Sequence, residues 1–173
     1  MTYKDAIQIS MEKLAKDPKV IFLGYNVKYG SKANGTLINI PDSQLIETPV
    51  AENLIVSTAI GLSLEGFKPV AYIERFDFML NAIDAIVNHL DKIKELSNNE
   101  FNPEVMIRTV IGNKQKPLFT GKTHTQDFTN AFKSLVKTPI FELPQNSQNI
   151  IDICSIHKSC IIVERKDLYG NDC

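Results

Sequence analysis

The sequence contains no tryptophan and only three cysteines, Cys154, Cys160 and Cys173, which form no Cys-x-x-Cys pair. This pattern excludes a disulfide framework and a cysteine-based zinc site, and it favours a reducing, cytoplasmic compartment. No apolar run reaches the roughly 18 residues that a membrane span requires. Lysine and arginine number 19 against 20 aspartate and glutamate residues, so a net charge of -1 argues against nucleic acid or an anionic membrane as the main partner.

The chain does contain enough apolar material for one domain with a sizeable core, with 43% hydrophobic residues in 173. Short, continuously apolar runs predict buried strands at 20–23, 69–73, 105–108, 140–143 and 160–164, with a further short strand near 37–40. Helical spacing predicts helices at 6–14, 51–65, 128–135 and 150–156, and the clearest amphipathic helix at 79–93.

Apolar strands separated by helices are typical of a parallel sheet that is covered on both faces. The sequence therefore predicts a three-layer α/β domain with five or six mainly parallel strands. In such sheets, ligands bind in the loops beyond the carboxyl ends of the strands. Those loops are the segments 24–35, 74–78 and 110–125.

No phosphate-binding glycine loop, zinc-protease motif or nucleophile-elbow motif is present, so each candidate residue must be weighed against an ordinary structural explanation. Glu52 can be a first-turn carboxylate favoured by the helix dipole, and His124 can be an exposed loop histidine. Phe76 and Phe78 can be core residues. Three loop lysines could meet an anionic substrate or simply be solvated: Lys114, Lys116 and Lys122.

Taken together, the motifs resemble the beta subunit of the decarboxylating component of 2-oxoacid dehydrogenases, in the transketolase-like superfamily. The matching segments run in the family's order through nearly the whole chain, from about residue 2 to 170. They are Glu47-Thr48-Pro49-Val50-Ala51-Glu52, the glycine-containing helix and Gly66-Phe67-Lys68-Pro69-Val70, Phe76-Asp77-Phe78 followed by 82–88, His124-Thr125-Gln126 and Leu168-Tyr169-Gly170.

The resemblance implies a pyrimidine-binding domain for thiamine diphosphate, spanning residues 1–173. In the family, the glutamate that matches Glu52 hydrogen-bonds the aminopyrimidine ring nitrogen and activates the cofactor. The resemblance likewise implies that Phe78 packs against the pyrimidine and that His124 acts on the substrate or an intermediate. Cofactor and protein divide the work, since the cofactor carries the carbanion chemistry and the protein supplies orientation and proton transfer.

The family's Gly-Asp-Gly segment for diphosphate and magnesium is absent from the sequence, and so is the family's C-terminal domain. The resemblance therefore implies no metal ligand in this chain and a separate alpha-like subunit that holds the Mg2+ diphosphate, with two copies of each chain. The substrate would be a 2-oxo acid or a ketose, undergoing decarboxylation, oxidative decarboxylation or ketol transfer. A catalytically silent assembly or regulatory partner is the alternative, and a flavodoxin-like nucleotide binder is a third, generic possibility.

Three departures from the family pattern bear on the site. Tyr25 and Asn26 stand where the family has acidic residues, so an acidic residue of the cofactor cleft is expected to be missing. Glu47 replaces an aspartate, and the segment 155–159 replaces the family's potassium-binding segment. These changes make a reaction other than the usual dehydrogenase chemistry an open alternative.

Overall fold

The computed structural model describes residues 1–117 and 121–170, and all statements below refer to them. Within these ranges the helices are α1 (Tyr3–Leu14), α2 (Lys32–Gly35), α3 (Glu52–Leu64), α4 (Ile93–Leu96), α5 (Thr129–Leu135) and α6 (Ser147–Cys154). The strands are β1 (Val20–Gly24), β2 (Leu45–Glu47), β3 (Lys68–Ile73), β4 (Met106–Ile111), β5 (Ile140–Glu142) and β6 (Cys160–Arg165).

The six described strands form one parallel sheet in the order β2-β1-β3-β4-β6-β5. One face carries α1 and α6, and the other carries α3, α5 and the helical segment 76–90. The central strands are buried along almost their whole length because helices cover both faces, as their continuously apolar sequences require. The structure confirms the predicted three-layer α/β domain with a parallel sheet.

Two local predictions were wrong. The segment 37–40 forms turns, and the short strand lies later, at Leu45–Glu47. Leu37 and Ile40 are nevertheless buried in the core. Their apolar side chains therefore indicated burial correctly, but they did not indicate a strand.

The stretch predicted as the clearest amphipathic helix is not a regular α-helix. It is a 3-10 helix at Phe76–Ala82, a π-helix at Ala85–Leu90 and the short helix α4. Met79, Ala82 and Ile86 are fully buried, so the apolar stripe faces the core as expected. Periodicity identifies the buried face of a helix but does not distinguish hydrogen-bonding patterns of similar pitch.

Cys154 and Cys160 are buried free thiols, and burial raises the pKa of Cys160 to about 12. Cys173 lies outside the described residues.

None of the helices in the described part of the chain has the length and apolarity to cross a membrane.

Candidate functional site

A cavity of about 270 Å³ opens at the carboxyl ends of β1 and β3, beside the first turn of α3. Glu52, Phe78 and His124, the three predicted site residues, all line it. They come from three separate segments of the chain, and the parallel sheet brings these segments to one edge.

Glu52 is the first residue of α3 and is only 6% exposed. The following helix is apolar and packs Ile55, Val56 and Ala59 into the core, which fixes its first turn against the sheet. The side-chain amide of Asn81 donates to Glu52 Oε2 at 3.3 Å. Among the described residues, the carboxylate thus accepts one long hydrogen bond, from a neutral amide, and it also lines the cavity.

Phe78 and His124 form an edge-to-face pair, with ring centroids 5.0 Å apart and an interplanar angle of 87°. Such pairs are a favourable aromatic arrangement, so each ring restricts the orientation of the other. His124 Nδ1 lies 3.1 Å from Thr123 Oγ1. Both rings are partly buried and border the cavity, which places an imidazole next to an apolar aromatic surface.

The backbone beside His124 depends on Gly112, which directly follows β4. A Cβ atom at position 112 would lie 1.9 Å from the carbonyl oxygen of His124. Only glycine allows this approach, so the close contact between the two segments positions the histidine.

Sequence reasoning missed a second carboxylate in the cavity. Glu74, at the end of β3, lines it and accepts a hydrogen bond from Asn26 Nδ2 at 3.2 Å. Glu74 is a carboxylate of the segment after β3, separate from the position after β1 where Tyr25 and Asn26 stand in place of acidic residues. No periodic or motif signal in the sequence marks Glu74 as a residue of this cavity.

The departure at Glu47 has a clear structural role. Its carboxylate accepts hydrogen bonds from the backbone N–H groups of Asn26, Lys28 and Tyr29 at 2.7, 2.7 and 3.1 Å. These bonds hold the loop after β1, which carries Tyr25 to the wall of the cavity.

The other candidates separate into core and surface. Phe76 is fully buried and packs against Phe128 and Phe132, as the core explanation predicted. Lys122 is exposed in a 3-10 turn, while Lys114 lines a different cavity. A third cavity, of about 110 Å³, is also lined by His124, together with Lys116.

No family model matches the chain. The chain is, however, similar in sequence to several beta subunits of known enzymes. The chain is 30% identical over 119 residues to the 2-oxoisovalerate dehydrogenase subunit beta of Bacillus subtilis, covering 65% of this chain and 36% of that protein. It is 28% identical over 141 residues to the mitochondrial pyruvate dehydrogenase E1 component subunit beta of Saccharomyces cerevisiae, covering 78% and 37%.

Two further matches cover more of the chain. The acetoin:2,6-dichlorophenolindophenol oxidoreductase subunit beta of Cupriavidus necator is 26% identical over 175 residues, covering 92% of this chain and 51% of that protein. A solved structure described as a split gene transketolase, inactive beta4 tetramer, superposes with a TM-score of 0.71 at 18% identity, covering 96% of this chain and 52% of that one.

The chain spans about a third to a half of the length of these curated relatives. The relatives confirm the resemblance to 2-oxoacid dehydrogenase beta subunits, and the structural match confirms the transketolase-like fold.

Proposed function

We propose that this chain, a transketolase-like domain related to the beta subunits of 2-oxoacid dehydrogenases, binds the aminopyrimidine ring of thiamine diphosphate in the cavity around Glu52. One observation carries the proposal: the cavity joins a nearly buried carboxylate to an aromatic face and an imidazole. An aminopyrimidine has flat apolar faces and polar nitrogens at its edge, and this lining matches both features.

The proposed work of Glu52 is to share a proton with the ring nitrogen of the aminopyrimidine. A carboxylate at the start of a helix, held by one long hydrogen bond, retains acceptor capacity for such a ligand. When bound, thiamine diphosphate supplies a nucleophilic carbon that attacks a carbonyl group. Phe78 and the aliphatic side chains of Ile55 and Ile73 provide the apolar lining against which the ring packs.

His124 is proposed to donate a hydrogen bond or a proton to the carbonyl oxygen of the substrate. Because Nδ1 is in contact with Thr123 Oγ1, Nε2 is the nitrogen that we propose for this task. The imidazole borders both cavities, so it lies where a substrate can extend from one to the other. A histidine suits this role because an imidazole can both donate and accept a proton.

The proposal includes a second polypeptide. A diphosphate-binding alpha-like subunit would hold the Mg2+ and the diphosphate, in an assembly with two copies of each chain. The substrate class remains a 2-oxo acid or a ketose, and the cytoplasmic location stays a prediction. The proposed reaction is decarboxylation, oxidative decarboxylation or ketol transfer.

The first test is calorimetry of thiamine diphosphate with Mg2+, on this chain alone and on its mixture with the candidate diphosphate-binding subunit. We expect tight binding only in the mixture, because this chain contributes one half of the site. Association of the two chains without cofactor binding would favour the silent partner instead.

A substitution separates catalysis from assembly. Glu52→Gln should abolish most of the turnover of the mixture, while Glu65→Gln, at the exposed end of the same helix, should leave it unchanged. Unchanged turnover in Glu52→Gln would refute the cofactor-activating role.

The role of His124 has its own measurement. His124→Ala should reduce turnover far more than cofactor affinity, with His89→Ala, an exposed histidine paired with Asp84, as the matched control. A loss confined to cofactor affinity would contradict the assigned role.

A further inference from the structure

The second cavity that His124 lines is basic. It has a volume of about 110 Å³, and its lining contains the cations Arg75, Lys116 and Lys166, together with Gly112, Asn113, His124 and Thr125. Among the described residues that line it, none is acidic. Three cations around a small cavity repel one another, and an anion bound between them offsets this repulsion.

Arg75 is the most constrained of the three. It is only 7% exposed, and its Nη1 donates to the backbone carbonyl of Glu74 at 2.6 Å. Its Nε is buried and finds no hydrogen-bond partner within the described ranges. A buried guanidinium N–H that lacks an acceptor is costly, and an oxyanion is the ligand that Arg pairs with best.

Lys166 is partly buried and interacts mainly with neutral groups. Its Nζ donates to Asn34 Oδ1 at 2.9 Å and lies 4.2 Å from the centroid of the Tyr169 ring. Burial, and then the charge of Arg75, lower the pKa of Lys166 to about 8. The two cations are therefore close enough to disfavour each other's charge.

The neighbouring carboxylates are engaged elsewhere. Glu164 accepts from Arg108 and from the Tyr169 hydroxyl, and Glu74 accepts from Asn26. Although both carboxylates favour the charged form of Lys166, neither lines the cavity. The positive charge in the cavity is thus available to a ligand.

We propose that this cavity binds an oxyanion of the substrate, a phosphate monoester or a carboxylate, while the substrate carbonyl reacts in the adjoining cavity around Glu52. This inference rests on the proposed function, because it assigns one substrate to both cavities. Arg75 and Lys166 bind the oxyanion from the protein interior, and the exposed Lys116 closes the outer side. His124 stands between the anion and the reacting carbonyl.

The test uses the full chain without thiamine diphosphate. Inorganic phosphate and acetate are titrated separately while the backbone amide resonances of Gly112, Asn113 and Thr125 are followed by NMR. We expect saturable shifts with at least one anion. Arg75→Met and Lys166→Met should each weaken that binding about tenfold or more, whereas Lys16→Met, an exposed lysine just after α1, should not.

Arg75→Lys keeps the charge and guards against misfolding of the methionine variant, so it should retain most of the affinity. Tighter binding of phosphate assigns a phosphate group to the substrate, and tighter binding of acetate assigns a carboxylate. Absence of saturable shifts with both anions, or unchanged affinity in Arg75→Met and Lys166→Met, would overturn the inference. Because no cofactor is present, neither result depends on whether the chain binds thiamine diphosphate.

Discussion

Two glutamates of this domain are buried, and they have opposite surroundings. Glu164, on β6, is fully buried, and its carboxylate accepts from Arg108 Nε at 2.6 Å and from the Tyr169 hydroxyl at 2.5 Å. Glu52 is nearly as buried, but within the described part of the chain its carboxylate accepts from a single amide donor, at 3.3 Å, and it borders a cavity. The first carboxylate is satisfied by the fold itself, whereas the second retains capacity for a ligand.

The network around Glu164 joins several elements, although Arg108 Nη1 is buried without a hydrogen-bond partner among the described residues. Arg108 Nη2 donates to Thr36 Oγ1 at 3.0 Å, and its guanidinium lies 5.5 Å from the Tyr72 ring centroid. Burial opposes the charge of Arg108, but Glu164 raises the pKa of the guanidinium above its usual value. This interaction connects the loop before β2 to the neighbouring strands β4 and β6.

The largest expected effect is therefore at the structural carboxylate. Glu164→Gln should lower the free energy of unfolding by about 3–5 kcal/mol, because Arg108 would be left buried without a counter-charge. Urea unfolding followed by circular dichroism measures the change. The double variant Arg108→Met/Glu164→Leu should recover much of the loss, and a loss below about 1 kcal/mol in Glu164→Gln would show that the pair is not essential to stability.

A smaller effect is expected where the backbone positions the cavity. Gly112→Ala should cost about 1–3 kcal/mol, because the new methyl group must displace the carbonyl of His124. The displacement should also change the ring-current shift that Phe78 imposes on the His124 resonances. Gly61→Ala is the matched control, since nothing lies within 4 Å of a Cβ there, and alanine in a helix should stabilise.

An unchanged His124 resonance in Gly112→Ala would contradict the positioning role of Gly112. The Glu164 network should remain intact in this variant, which distinguishes damage to the cavity from damage to the core.

The contrast between the two glutamates also explains what the sequence could predict. Glu52 was predicted because it lies within a contiguous motif at the start of an apolar helix. The pairing of Arg108 with Glu164 was not, because the two residues are 56 positions apart and meet only when β4 and β6 become neighbours. Apolar runs predict that a strand is buried, but not which strand lies beside it.

The same limit applies to the basic cavity. Its position in a basic loop makes Lys116 a candidate contact for an anionic substrate, but nothing in the sequence indicates that Arg75 and Lys166 line the same cavity. Arg75 follows β3 and Lys166 follows β6, so only the strand order brings them together. Loop lysines look alike in sequence, and only the folded structure shows which of them line a cavity.

His157 is a partly buried side chain with an incomplete set of hydrogen bonds, and it makes the stability of the fold depend on pH. His157 Nε2 lies 2.9 Å from the Pro69 carbonyl oxygen, while its Nδ1 is buried without a hydrogen-bond partner among the described residues. Burial lowers the pKa of His157 below its usual value. Protonation would add a buried N–H at Nδ1 that has no acceptor.

Because the folded state binds this proton more weakly than the unfolded state, the stabilisation is complete above about pH 6.5 and is lost as the pH falls from there toward the lowered pKa. Urea unfolding at a series of pH values should show this drift, and His157→Gln should reduce it. His89→Gln, at an exposed site, should not. Carboxylates titrate at lower pH, so they contribute little to a change in stability that begins near pH 6.5. A change of the same size in His157→Gln would show that groups other than His157 cause it.

The smallest expected change in stability completes the comparison. Glu52→Gln should leave the free energy of unfolding within about 1 kcal/mol of the unsubstituted chain, because the glutamine oxygen can still accept from Asn81 and no buried cation loses its partner. The same chemical change at Glu164 is the control, measured under the same conditions. A loss in Glu52→Gln as large as that in Glu164→Gln would mean that Glu52 is a structural carboxylate. Near-equality with the unsubstituted chain, together with lost turnover, would show that the Glu52 carboxylate serves the ligand and not the fold.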